Sequence, residues 1–177
     1  MSCFTDNLYM DTKNAHTQVD KHPFVSLIRT NKIAGTLYIN FNKICIHEIQ
    51  NSSHNIPEDL YKKLYRQIDL DDIYISPTLL EIIQHCRSYP LESAYQFYLG
   101  LLFGGNMLKR MLPEYTEFLT YENNKQLISD FKNYLNNNIT NQDQFIQRVN
   151  ECYTLIKLLF DEYHVKIENE TNLISKS

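Results

Sequence analysis

His16 and a cluster of glycines are the residues whose type and spacing point to chemistry. His16 sits in Thr12-Lys13-Asn14-Ala15-His16-Thr17-Gln18-Val19-Asp20, with Asp20 one helical turn further on. A neutral imidazole can ligate iron through one ring nitrogen while a nearby carboxylate holds the other N–H and fixes the tautomer. Gly100, Gly104 and Gly105, three of the four glycines in the chain, fall within six residues in the middle of a helical pattern. A glycine inside a helix costs about 1 kcal/mol relative to alanine. The cluster therefore implies a kink or the approach of something bulky, such as a flat ligand. Tight helix–helix packing is the other reading.

Weaker constellations compete with these two. Asp161-x-x-His164 and the pair Glu81 and His85 would place a carboxylate and an imidazole on one helix face, as carboxylate-bridged iron sites require. The paired Glu-x-x-His repeats of such sites are missing, and a solvated face is the alternative. His47-Glu48 lacks a second histidine four residues on, which excludes the common zinc-protease helix. Neither a nucleophile motif nor a phosphate loop is present. The 13 tyrosines, with no tryptophan, read as half-buried packing residues.

The elements that must carry these residues read as helices almost throughout. A first helix is predicted from about Thr5 to Asp20, ended by Lys21-His22-Pro23, and a short one from Phe24 to Arg29. Between Gly35 and Gln50, the set Leu37, Phe41, Ile44, Cys45 and Ile49 marks one apolar face. Shorter helices are predicted at Pro57 to Arg66, Pro77 to Arg87 and Glu122 to Leu135, and the glycines fall in one from Leu91 to Leu112. The cleanest stripe follows Thr140, in Phe145, Val149, Cys152, Tyr153, Ile156, Leu159, Phe160 and Tyr163. Thr140 with Asp143 is the expected cap of that helix. Ile73-Tyr74-Ile75 reads as the end of a turn rather than a strand. The fold class is all-α, with one helical domain over residues 1–165 and a frayed tail over 166–177.

The 177 residues carry a formal net charge of −4 and no basic stripe, which argues against a nucleic-acid partner. Cys3, Cys45, Cys86 and Cys152 form no C-x-x-C pair, and at least Cys45 and Cys152 fall on apolar helix faces. A cytoplasmic setting is expected, without a membrane span or a standard secretion signal.

The runs TKNAHTQVDKHPFV and AYQFYLGLLFGGNMLKR, in this order and separated by PEDLYKKL, resemble the two signature helices of heme oxygenases of the biliverdin-producing type. The resemblance extends from about Thr12 to Tyr163. It implies a single-domain helical bundle with a kinked, glycine-rich distal helix. It also implies that His16 is the proximal ligand to heme iron and that Asp20 is its acidic partner. Lys13 and Tyr95 would meet heme propionates, and Gly100, Gly104 and Gly105 would let the distal backbone lie against the porphyrin at the catalytic face. Lys132 is the candidate for further positive charge at the propionates. A heme is a large apolar disc with two anionic edges, so two helices with lysines at one rim suit both parts of it.

The implied activity is cleavage of heme to biliverdin, carbon monoxide and ferrous iron with dioxygen and external electrons. No flavin or iron–sulfur motif is present, so a ferredoxin or flavoprotein reductase is the implied partner. One position departs from the family pattern: Leu101 follows Gly100 where an aspartate that orders distal water is usual, and Phe103 replaces a small serine. Tyr98 and Tyr38 are candidates to compensate. Two alternatives follow: a non-catalytic heme-binding or heme-sensing protein of the same fold, or a non-heme iron oxygenase built on it.

Overall fold

The computed structural model describes residues 3–52, 56–70 and 73–174, and among them every regular element is a helix. The order is α1 (Phe4–Asp20), α2 (Pro23–Leu27), α3 (Lys32–Ser52), α4 (Glu58–Leu64), α5 (Pro77–Ser88) and α6 (Pro90–Met111). A 3-10 turn, Pro113–Tyr115, leads into α7 (Thr116–Leu119), followed by α8 (Asn124–Asn138) and α9 (Gln142–Ile174). Local chemistry fixes several starts. Ser76 accepts from the Leu79 amide with Pro77 in the first turn of α5, and the His22 ring accepts from the Phe24 amide ahead of Pro23.

Helix α3 is the centre of the bundle. It packs on α2, α5, α6 and α9, and Leu37, Ile39, Phe41, Ile44, Cys45, Ile46 and Ile49 are all buried. Burying each side chain of that size contributes roughly 1.5–3 kcal/mol. Aromatic rings join it to its neighbours, Phe41 meeting Phe97 at 5.5 Å and Phe160 at 6.0 Å, while Phe24 of α2 meets Phe160 of α9 at 5.0 Å. The buried Glu48 is paired with Arg87 of α5. Gln50, near the end of α3, donates to the carbonyl of Arg66 and accepts from its amide, which pins the segment after α4.

Helix α1 lies along α9, its most extensive partner. Phe4 meets Phe145 edge-on at 5.6 Å, Asn150 donates to the Asp11 carbonyl, and His22 meets Asp161. Residue numbers rise together on both sides, so the two helices run parallel. The amide of Thr5 donates to Asn136, tying the start of α1 to the end of α8.

Three expectations are corrected. The stretch after Val165 does not fray: α9 continues to Ile174, because the stripe Phe160, Tyr163, Ile167 persists and Ile167 is buried. The Lys166–Glu170 pair and a bond from Thr171 to the Ile167 carbonyl support the added turns. Residues 175–177 of that tail lie outside the described residues. Asn141, rather than Thr140 with Asp143, caps α9 by accepting from the Gln144 amide. The short helical pieces between Pro113 and Leu119 carry too few residues to show a period, and none was expected there.

Helix α6 runs through all three glycines, but they face different surroundings. A Cβ on Gly105 would stand 2.9 Å from the carbonyl oxygen of Leu119, a backbone atom that cannot move aside cheaply. Gly105 is therefore a packing glycine that lets α6 approach α7. Gly105→Ala is expected to destabilise the protein by about 1–3 kcal/mol, measured as a lower denaturant midpoint with an unchanged slope.

Candidate functional site

Tyr9, Lys13, His16 and Asp20 recur at intervals of four, three and four, which places them along one stripe of α1. The adjoining side of the helix buries Phe4, Leu8 and Val19. His16 is 46% exposed, with the Asp20 carboxylate 3.4 Å from its Nδ1. That carboxylate favours the tautomer protonated at Nδ1, which leaves the lone pair on Nε2. Nε2 has no hydrogen-bond partner among the described residues. The imidazole is held from the side by Tyr153 of α9, with ring centroids 5.4 Å apart.

Tyr153 is a site residue that the sequence did not single out, since its spacing marks it only as part of the α9 stripe. Burial drives its hydroxyl far above the ordinary tyrosine range, with Tyr95, Cys152 and Asp20 adding to the effect. Tyr38 of α3 approaches the same carboxylate. Its hydroxyl is pushed up to about 12, first by burial and then by Asp20. Tyr38 thus stands on the Asp20 side. Tyr98 is engaged elsewhere: it is buried and donates to Gln50.

Tyr95 links α6 to α1. Its hydroxyl reaches the Thr12 side chain, one turn before His16, and burial raises its pKa. Lys13 is exposed, with Nζ 5.8 Å from the Tyr9 ring.

On α6, Gly100, Phe103, Gly104 and Met107 form a second stripe at helical spacing. A Cβ on Gly100 would meet nothing within 4 Å, and one on Gly104 only Leu108 Cδ1 at 3.9 Å. Phe103 is 63% and Met107 61% exposed. This face of α6 is therefore open, apolar and notched by two glycines that packing does not require. Lys132 of α8 stands over it, with Nζ 5.6 Å from the Phe103 centroid. Leu101 points the other way and is 2% exposed in the core. Gly105 is also turned from this face, toward Leu119.

The competing constellations do not assemble. Asp161 is paired with His22 rather than His164, which lies 3.8 Å from Glu168. His85 is buried against Tyr89, while Glu81 is exposed. Among the described residues, no group of three or more histidines, cysteines, aspartates or glutamates could hold a metal ion. A surface cleft of about 850 Å³ lies elsewhere, between α4 and α8, with opposed charges from Lys63, Arg66, Glu117, Glu122 and Asp130.

This all-α, single-domain bundle has the heme oxygenase fold. It matches the crystal structure of heme oxygenase-1 from the cyanobacterium Synechocystis sp. PCC6803 in complex with heme, with a TM-score of 0.76 over 98% of both chains at 16% sequence identity. No protein-family model matches the chain, and no curated protein matches its sequence. No helix among the described residues is long and apolar enough to cross a membrane.

Two expectations follow. Gly100→Ala should stabilise the ligand-free protein by up to about 1 kcal/mol, because helix propensity improves and no contact is lost. A raised denaturant midpoint checks this, and a fall would show that the face is covered. Stability should also fall as pH rises from about 10, where Tyr38 ionises in the unfolded chain, through about 12, where it ionises in the fold. The raised folded pKa means that its contribution is fully present below pH 10 and lost above. Tyr38→Phe should lessen that decline in denaturant midpoints followed across the window.

Proposed function

We propose that the protein is a heme oxygenase that holds heme between the His16 stripe of α1 and the Gly100–Gly104 face of α6. The observation that carries this reading is the pairing of a histidine, its Nδ1 beside a carboxylate and its Nε2 without a partner, with a helix face carrying two glycines that the fold does not need. A flat, largely apolar ligand gives those glycines a reason, because only the missing side chains let the α6 backbone approach a porphyrin face. The fold supports the reading, as does the heme held by the cyanobacterial protein.

In this account His16 supplies Nε2 to the iron, and Asp20 keeps the proton on Nδ1 and strengthens the imidazole as a donor. Tyr153 fixes the plane of the ring. Lys13 and Lys132 supply positive charge for the propionates, and Tyr95 supplies a hydroxyl that can turn from Thr12 toward them. Bound heme would supply both the iron that activates dioxygen and the porphyrin edge that is oxidised, with electrons from an external donor of ferredoxin or flavoprotein-reductase type. Three fully buried, unpaired cysteines fit a reducing, cytoplasmic setting.

Leu101 favours a second reading, a protein that holds heme without turning it over. A buried leucine offers no hydrogen bond to the distal side, and Phe97 of α6 and Phe41 packed against it in the core offer none either.

Hemin added to the purified protein is expected to give a saturable Soret band that decays to biliverdin absorbance when a ferredoxin-type reducing system and catalase are supplied. A stable Soret band under those conditions would select the holding function, and no saturable band would remove both. His16→Ala should abolish the iron–histidine stretch of the ferrous complex. Asp20→Ala should weaken hemin binding or turnover by about 10–100-fold. Gly100→Ala, although neutral or stabilising without ligand, should weaken hemin binding in a Soret titration.

A further inference from the structure

We infer that His22 and Asp161 form a positioning bolt that sets how α1 sits on α9 and thereby aims the His16 ring. This inference rests on the heme-site reading for its purpose, but its geometry belongs to the protein without ligand. The His22 ring is buried, and its Nδ1 accepts from the Phe24 amide at 3.1 Å. Nε2 must therefore carry the proton, and it donates to Asp161 Oδ1 at 2.9 Å. One imidazole thus caps α2 with one nitrogen and, with the other, ties the link that follows α1 to α9. The ring is packed by Phe160 at 5.8 Å and His164 at 6.4 Å. The carboxylate it grips is 60% exposed, so the tie sits at the surface end of the contact.

Its place along the two helices gives the bolt a consequence for His16. A second tie joins Asn150 of α9 to the carbonyl of Asp11. From Asp11 to His22 is eleven residues, and from Asn150 to Asp161 is eleven as well. On α9 eleven residues return nearly to the same helix face after three turns, whereas on the other side α1 ends at Asp20 and His22 stands just past its cap. The two ties therefore hold α1 against one face of α9 at two points, one in the middle of α1 and one just past its end. His16 lies between the ties, and its ring rests on Tyr153, which lies between the matching residues of α9. Freeing the tie at His22 lets the end of α1 turn about the Asp11 tie. His16 and Asp20 occupy that half of the helix.

The test uses Asp161→Ala, Asp161→Asn and His22→Ala in the full-length protein, each read with and without hemin. Asparagine keeps an oxygen that accepts from Nε2, so Asp161→Asn is the conservative rescue. Without ligand, the His16 ring protons carry the ring-current shift of Tyr153, and this resonance should move in Asp161→Ala and His22→Ala but not in Asp161→Asn. With hemin, the first two variants should bind about tenfold more weakly and shift the ferrous iron–histidine stretch, while Asp161→Asn should match the natural protein. If His22→Ala does not fold, the two Asp161 variants carry the test, because that side chain is largely exposed. An unmoved His16 resonance in a folded Asp161→Ala protein would overturn the inference. Failure of the natural protein to take up hemin would remove the heme reading, and the resonance of His16 would still decide whether the bolt aims it.

Discussion

The contact between α1 and α9 is the constraint on which the site depends. Helix α1 must bury Phe4, Leu8 and Val19 while leaving Tyr9, Lys13, His16 and Asp20 accessible. An isolated helix of this length is marginal in water, so its orientation comes from tertiary packing rather than from propensity. The 33-residue α9 supplies a continuous rail for it. The turns added beyond Val165 lie past the end of α1, and Ile167 anchors them to the same core. What looks like a histidine on a surface helix is thus held by a ring contact from below, a carboxylate beside it and fixed points on either side.

The glycines of α6 separate two physical roles that their spacing runs together. Gly105 exists for the backbone of Leu119, and a methyl group there would collide with a carbonyl. Gly100 and Gly104 meet nothing that needs them small. Natural helices rarely retain such glycines without a reason, since alanine at either place would improve the helix. The neighbouring residues sharpen the contrast. Phe103 and Met107 keep large apolar surfaces in contact with solvent on the open side, whereas Leu101 and Leu102 fill the core.

Much of this architecture was legible in the sequence because it rests on helical periodicity. The boundaries of α1, α5 and α6 lie close to those expected, since Pro23, Pro77 and Pro90 punctuate the chain where the pattern breaks. That His16 and Asp20 share one face of α1 was legible from their spacing, while the role given to them came only from the resemblance of the surrounding run. Tyr153 and Tyr38 were not, because a tyrosine that faces a histidine from another helix has the same local signature as any packing residue. The His22 bolt was hidden for the same reason: His22-Pro23 reads as a helix break, and its partner lies 139 residues away. The roles of the three glycines could not be divided without knowing that α7 exists, and α7 is too short to announce itself by period.

The most direct test of the account is a crystal structure of the protein grown with hemin. The account predicts a porphyrin seated on Gly100 and Gly104, with iron bound by Nε2 of His16 and Nδ1 still facing Asp20. Iron held by any other residue, or hemin lodged in the cleft between α4 and α8 with the His16 stripe left bare, would contradict it.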